Sequence, residues 1–218
     1  MSRRTELRSH PRSEGSTGRL QALTDGFFAV AMTLLVLNLP VGDPREPTSA
    51  SVVLSQAWPH LLLYFDSVLV LGVLWFGNRN AFEYVERTDH PHTWLSLGVL
   101  AFVALVPWTT GLAASHLHEP LAVTIYAVNL LIATVFDAAT WLYATGQGRL
   151  TARVTPEFTT VSRRLTAVPV AGMALATGLA WASTWAALAI VVTLPLLAIS
   201  GLTYRVQHRL STALRDSE

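Results

Sequence analysis

The chain has 218 residues, of which 51% are apolar and 13% charged, against roughly 25% charged in an ordinary soluble domain. A formal net charge of +1, carried by arginines that sit in tails and loops, offers no basic surface for a nucleic acid. There is no cysteine, which excludes disulfides, thiolate metal sites and cysteine nucleophiles.

Residues 1–18 are polar, rich in arginine and serine and without periodicity, and are expected to form a disordered cytoplasmic tail. A first apolar span follows over about 20–41. It is longer than a signal-peptide core and lacks a small-x-small cleavage site, so it is expected to remain and to cross the bilayer. Gly42-Asp43-Pro44 breaks it. A second span covers 55–75, and its helix is expected to continue for a turn or two beyond Gly77-Asn78-Arg79-Asn80 before breaking at Pro91. The third span, 93–112, carries Pro107, and a loop over 113–120 leads to the fourth, 121–145. A polar connection over 146–164 precedes a tight hairpin of the fifth and sixth spans, 165–181 and 185–204, turning at Ala182-Ser183-Thr184. Residues 205–218 form a second cytoplasmic tail. These stretches lie near the ~20 residues that a bilayer requires. The expected fold is thus an all-α integral membrane protein with a six-helix transmembrane domain over 19–204.

Orientation follows from arginine. All 15 basic residues are arginine, and all but Arg45 fall in the N-terminal tail with the start of the first span, the second-to-third connection, the fourth-to-fifth connection and the C-terminal tail. Six spans place these segments on one side, which the positive-inside rule makes cytoplasmic, with both termini there. Trp58, Trp108, Trp181 and Trp185 then sit near outer ends, and Trp75 and Trp94 near inner ends, as interfacial anchors.

Ionisable groups inside a span are costly unless paired or hydrated. At the inner end, Arg19, Thr24, Asp25, Trp75, Asn78, Trp94 and Ser96 fall at one depth and offer matched donors and acceptors around one carboxylate. They are expected to form a polar network, either as a structural clasp between three helices or as a participant in transport. Asp66 and Asp137 lie deeper and belong to no spacing motif; each is open to pairing with a neighbouring Tyr, Trp or Thr, or to binding a proton or cation. His116 and His118 are spaced like a metal pair but have no third ligand of fixed geometry, so they read as solvated loop residues and no metal site is expected.

There is no phosphate-cradling glycine loop, no His-Glu-x-x-His and no Gly-x-Ser-x-Gly, so no enzyme is expected. The filter sequence Thr-Val-Gly-Tyr-Gly is absent as well, and no re-entrant filter loop is expected. On a 3.6-residue helix, Val30, Thr33, Leu34, Leu37 and Val41 share one stripe. By itself that stripe could face lipid, pack in a core or line a pore.

The run from Arg19 through Leu23, Thr24 and Asp25 to Thr33 resembles the first-helix signature of the transmembrane protein 175 family of potassium channels: Arg, three residues, Phe-Ser-Asp, and a threonine eight residues beyond the aspartate. Here Leu23 and Thr24 replace Phe and Ser. The likeness continues through Trp75, Phe82, Asp89, Trp94 and Pro107-Trp108-Thr109-Thr110, with Asn78 where the family usually has histidine. It covers about residues 19–112. The resemblance implies a bacterial plasma-membrane protein, multi-pass and homotetrameric, in which four first helices surround the axis. It implies potassium as the permeant ion, no cofactor, and a pore and gate lined by Val30, Thr33, Leu34, Leu37 and Val41. Partners would be copies of the chain and membrane lipid, not nucleic acid. Asn78 in place of histidine removes a titratable group from the inner network. The competing expectation is a proton- or cation-coupled secondary transporter working through Asp66 or Asp137; a non-transporting scaffold is a third.

Overall fold

The computed structural model describes residues 14–42, 49–85, 88–146, 150 and 156–200, with side chains from Thr17 onward. The expectations for residues 1–13 and 201–218, and for residues 43–48, 86–87, 147–149 and 151–155 of the connections, lie outside the described residues. What is described is almost wholly helical: α1 Glu14–Leu34 with a 3-10 turn Leu35–Asn38, α2 Ala50–Tyr84, α3 His90–Ser115, α4 Pro120–Gly146, α5 Pro156–Leu165, α6 Ala167–Leu179 and α7 Thr184–Ile199. The first four are long and apolar enough to cross a bilayer, and α7 is a shorter apolar helix.

The boundaries have local causes. α1 starts at Glu14, inside the stretch read as tail, and its helical backbone ends at Asn38 rather than running to residue 41. Pro40 explains the early stop, because its ring disfavours helical backbone at the residue before it; Leu39 is extended, with φ −78° and ψ 128°. α2 is 35 residues long, about 52 Å at 1.5 Å per residue, and overshoots the ~30 Å hydrocarbon layer at both ends. Pro91 does not end α2 but opens α3, where a missing N–H costs nothing. Asp89 caps the same helix by accepting from the His92 N–H at 3.2 Å. Between α5 and α6 only Thr166 intervenes, itself helical with φ −61° and ψ −25°. The break falls three residues before Pro169, whose ring crowds the Leu165 carbonyl four residues back and cannot bond to it. α5 and α6 therefore make one jointed rod, and six rods match the six expected spans.

α3 and α4 pack along their length, α1 lies against α3 and α2, and the hairpin of α6 and α7 covers α4 and α2. Phe28, Leu35, Leu63, Leu71, Leu100, Val103, Val106, Tyr126 and Leu130 form a continuous buried core. Two ends can be distinguished by side-chain contacts. At one, Asp25 meets Trp75, Thr17 meets Thr88, and Tyr143 meets Asp89. At the other, Trp58 stacks on Trp185 at 5.9 Å and Asn38 reaches Pro107. The helices thus alternate in direction as the sequence requires.

Candidate functional site

α1 has two unlike faces. Leu20, Thr24, Phe28, Ala31 and Leu35 are buried, and they recur at the spacing of a helix side laid against neighbours. Leu23, Phe27, Val30, Leu34 and Leu37 are exposed, although every one is apolar. Their alternating steps of four and three are those of a seam that faces another helix or a common axis. Leu37 is 75% exposed. A 3-10 turn eclipses positions three apart, so Leu34 and Leu37 stand one above the other at the end of this stripe.

Val41 needs a correction. It is 92% exposed but lies beyond Pro40, outside the helix, so it does not belong to the helical stripe of Val30, Leu34 and Leu37. Thr33 is exposed beside Val30 and Leu34, and its hydroxyl donates to the Val30 carbonyl at 2.8 Å. That bond uses the proton and leaves the oxygen lone pairs free to meet a cation.

The seven polar residues of the inner end are not drawn into one network within the chain. The Trp75 indole donates to Asp25 Oδ1 at 2.8 Å, and the Arg79 guanidinium lies 5.7 Å from the centre of the Trp75 ring. Those contacts form a clasp of α1 and α2. Thr24 and Ser96 instead donate to carbonyls of their own helices, Leu20 at 2.9 Å and His92 at 3.0 Å. Asn78 is buried and turns to Asp137 on α4, while Arg19 is exposed and Trp94 is 70% exposed. Helical hydroxyls at this depth have a carbonyl one turn back within reach, and that local bond wins over a distant one.

A second polar group, which the sequence did not single out as a unit, joins α2, α3 and α4 at mid-depth. The Tyr126 hydroxyl donates to Asp66 Oδ2 at 2.9 Å and lies 2.9 Å from Ser67 Oγ, which in turn is 2.7 Å from Thr110 Oγ1. All four residues are buried, and Asp66 Oδ1 has no hydrogen-bond partner among the described residues. Asn129 donates to the Phe102 carbonyl at 3.2 Å and to Thr109 Oγ1 at 3.4 Å. The only available signal was isolated polar residues inside apolar runs, and periodicity alone does not pair them. At the Trp58–Trp185 end His118 packs edge-on to Trp185 at 6.2 Å. Among the described residues no three His, Cys, Asp or Glu side chains converge on a point.

Comparison with known proteins agrees with the first-helix signature. A family model described as the endosomal/lysosomal potassium channel TMEM175 matches residues 19–107. The chain is 34% identical over 172 residues to a potassium channel of Streptomyces collinus, covering 77% of this chain and 84% of that one. A potassium channel of Chamaesiphon minutus is 35% identical over 146 residues, or 64% of this chain and 71% of its own. An endosomal/lysosomal proton channel TMEM175 of Bos taurus is 31% identical over 141 residues, of which this chain spans 29% of the length. The crystal structure of a lysosomal potassium-selective channel TMEM175 homolog from Chamaesiphon minutus shares the fold, with a TM-score of 0.74 and 25% identity over 85% of this chain and 97% of that one.

Proposed function

The chain belongs to the TMEM175 channel family, and on that footing we propose that it is a homotetrameric, potassium-permeable cation channel of a bacterial plasma membrane. It is a multi-pass membrane protein of an ion-channel family, not of an enzyme class. The observation that carries the proposal is the outward apolar stripe of α1. Lipid would accept such a stripe, but so would a shared axis, and in a family of channels the axis is the reading with a function. Four copies would then stack apolar rings at Val30, Leu34 and Leu37, which close a pore by excluding water. Thr33 would add a ring of hydroxyl oxygens among them, replacing part of an ion's hydration. Val41 would stand at the outer mouth. Potassium is the permeant species, and the mechanism calls for no cofactor.

Orientation belongs to the same proposal. Arg19, Arg79, Arg163 and Arg164 all lie in the segments at the Asp25–Trp75 end, which is the cytoplasmic end by the positive-inside rule. Both termini are then cytoplasmic, flanking a membrane domain over 19–204. The clasp of Asp25 with Trp75 holds the inner end of α1 and does not itself conduct. A coupled transporter would need Asp66 or Asp137 to exchange between two access paths. Instead, Asp66 is 2% exposed and tied to Tyr126, and Asp137 faces the buried Asn78.

Purified protein in liposomes should pass potassium down its gradient without a coupling ion. Thr33→Ala should change the potassium-to-sodium flux ratio while the assembly stays intact. Equal sodium and potassium flux in the parent protein, or no flux from an intact tetramer, would refute the reading.

A further inference from the structure

The outer end of α1 is held by an unusual arrangement. Asn38, the last residue of the 3-10 turn, donates from Nδ2 to the carbonyl of Pro107 on α3 at 2.6 Å. Among the described residues this is the one side-chain hydrogen bond that joins the Leu35–Asn38 turn to another helix. The carboxamide lies flat against α3 because position 111 is glycine: a Cβ there would stand 2.7 Å from Asn38 Oδ1 and 3.0 Å from its Cγ. Real Cβ atoms do not approach so closely, so a methyl group at 111 and the seated carboxamide exclude one another. Immediately after Asn38 the chain turns extended into Pro40, so no further helical turn anchors this end. Leu34 and Leu37, one above the other in this same final stretch, are the residues assigned above to the apolar rings.

We infer that Asn38 is a positioning residue for the gate: its bond to the Pro107 carbonyl, over Gly111, holds the last turn of α1 in the rotation that keeps Leu34 and Leu37 on the axis and the pore closed. The inference rests on the channel reading. The turn has few hydrogen bonds of its own, since a 3-10 segment is short and poorly bonded, so one lateral bond is a large share of what fixes its rotation. A typical hydrogen bond changes an equilibrium by roughly 2- to 12-fold. Substitution removes the bond from all four chains, so it should move the closed-to-open equilibrium by at least that factor, leaving the pore's walls and its selectivity alone.

The test is single-channel recording of four full-length proteins: parent, Asn38→Ala, Gly111→Ala and the double variant. Asn38→Ala should raise the open-to-closed ratio by at least roughly 2-fold, with unitary conductance and ion selectivity unchanged. Gly111→Ala should do the same, because its methyl evicts the carboxamide, and it should add nothing once Asn38 is already alanine. A merely structural bond would lower thermal stability and leave open probability unchanged. If Asn38→Ala fails to assemble, Gly111→Ala alone still reads the effect. On this cysteine-free chain, the labelling rate of Leu37→Cys by a water-soluble thiol reagent should rise when Asn38→Ala is added, whether or not current flows. A parent protein that carries no current thus sinks the channel reading while labelling still tests the latch. Unchanged or reduced open probability in Asn38→Ala, equal effects of Gly111→Ala in both backgrounds, or an unchanged labelling rate overturns the inference.

Discussion

Trp75 and Asp25 face each other where the adjoining ends of α2 and α1 meet, with the indole N–H 2.8 Å from one carboxylate oxygen and the Arg79 guanidinium over the indole ring. One indole thus settles three things: the aspartate has a donor, the arginine has a π face, and that end of α1 is fixed. Trp75→Phe keeps the ring and deletes the donor. Hydrogen bonds to charged groups contribute about 1.5–3 kcal/mol, and exposure to water at this site puts the loss at the lower end. The expected result is a lower unfolding midpoint in detergent, with the tetramer still formed. Asp25→Asn retains an acceptor oxygen and should lose less. Equal midpoints for the parent and Trp75→Phe would show that the clasp contributes nothing.

The two faces of α1 should respond differently to the same truncation. Phe28 is 1% exposed within the core, and Phe→Ala in such a place costs about 3–5 kcal/mol. Phe28→Ala should therefore reduce the yield and melting temperature of the folded protein. Leu34 and Leu37 leave no cavity in the chain when shortened, so Leu34→Ala or Leu37→Ala should leave the midpoint close to the parent value. Both should increase potassium leak by widening an apolar constriction. Melting curves and liposome flux on the three variants separate the outcomes; a stability loss at Leu34 matching that at Phe28 would place Leu34 in the core.

The helical layout was legible in the sequence because a membrane helix announces itself by length and hydropathy. The boundaries that departed from expectation did so at prolines: Pro40 cut α1 short of Val41, Pro91 opened a helix instead of closing one, and Pro169 jointed the fifth span at Thr166. The outward stripe of α1 was likewise readable, since its period is local. The polar contacts were not. Depth along the membrane placed Thr24, Asn78, Trp94 and Ser96 together, but depth says nothing of azimuth. In three dimensions Asn78 looks toward α4, Trp94 looks outward, and the two hydroxyls bond to their own backbones. The partner of Asp66 lies 60 residues away on another helix, which no spacing rule reaches.

That partner gives the third prediction. Tyr126→Phe removes a hydroxyl that serves both Asp66 and Ser67, leaving Asp66 with neither oxygen paired among the described residues. A buried polar group left without its partner costs about 1–3 kcal/mol. Ser67 is less exposed to the loss because Thr110 remains beside it at 2.7 Å. The melting temperature should fall clearly in Tyr126→Phe, while potassium permeability per assembled channel should stay near that of the parent. Asp66→Asn should also leave uncoupled potassium flux in place. A flux that vanishes with Asp66→Asn in a well-folded tetramer would revive the coupled-transport alternative.

Glycines on α3 and α2 allow a last comparison. A Cβ at Gly98 would stand 2.9 Å from Cγ of Phe136 and closer still to its Cδ1 and Cε1. The ring cannot simply swing aside, because it stacks on Phe102 with centroids 5.8 Å apart and planes 21° from parallel. Gly98→Ala therefore forces α3 and α4 apart along their main contact, and overpacking of this kind costs about 1–3 kcal/mol. Gly72 on α2 has nothing within 4 Å of where its Cβ would be. There the substitution adds a methyl to open space and recovers about 0.5–1 kcal/mol of helix preference. Thermal unfolding of the two alanine variants should shift in opposite directions from the parent. If Gly72→Ala instead weakens the oligomer while Gly98→Ala leaves the midpoint unmoved, α2 at Gly72 packs against a neighbouring copy and the α3–α4 contact is looser than it stands here.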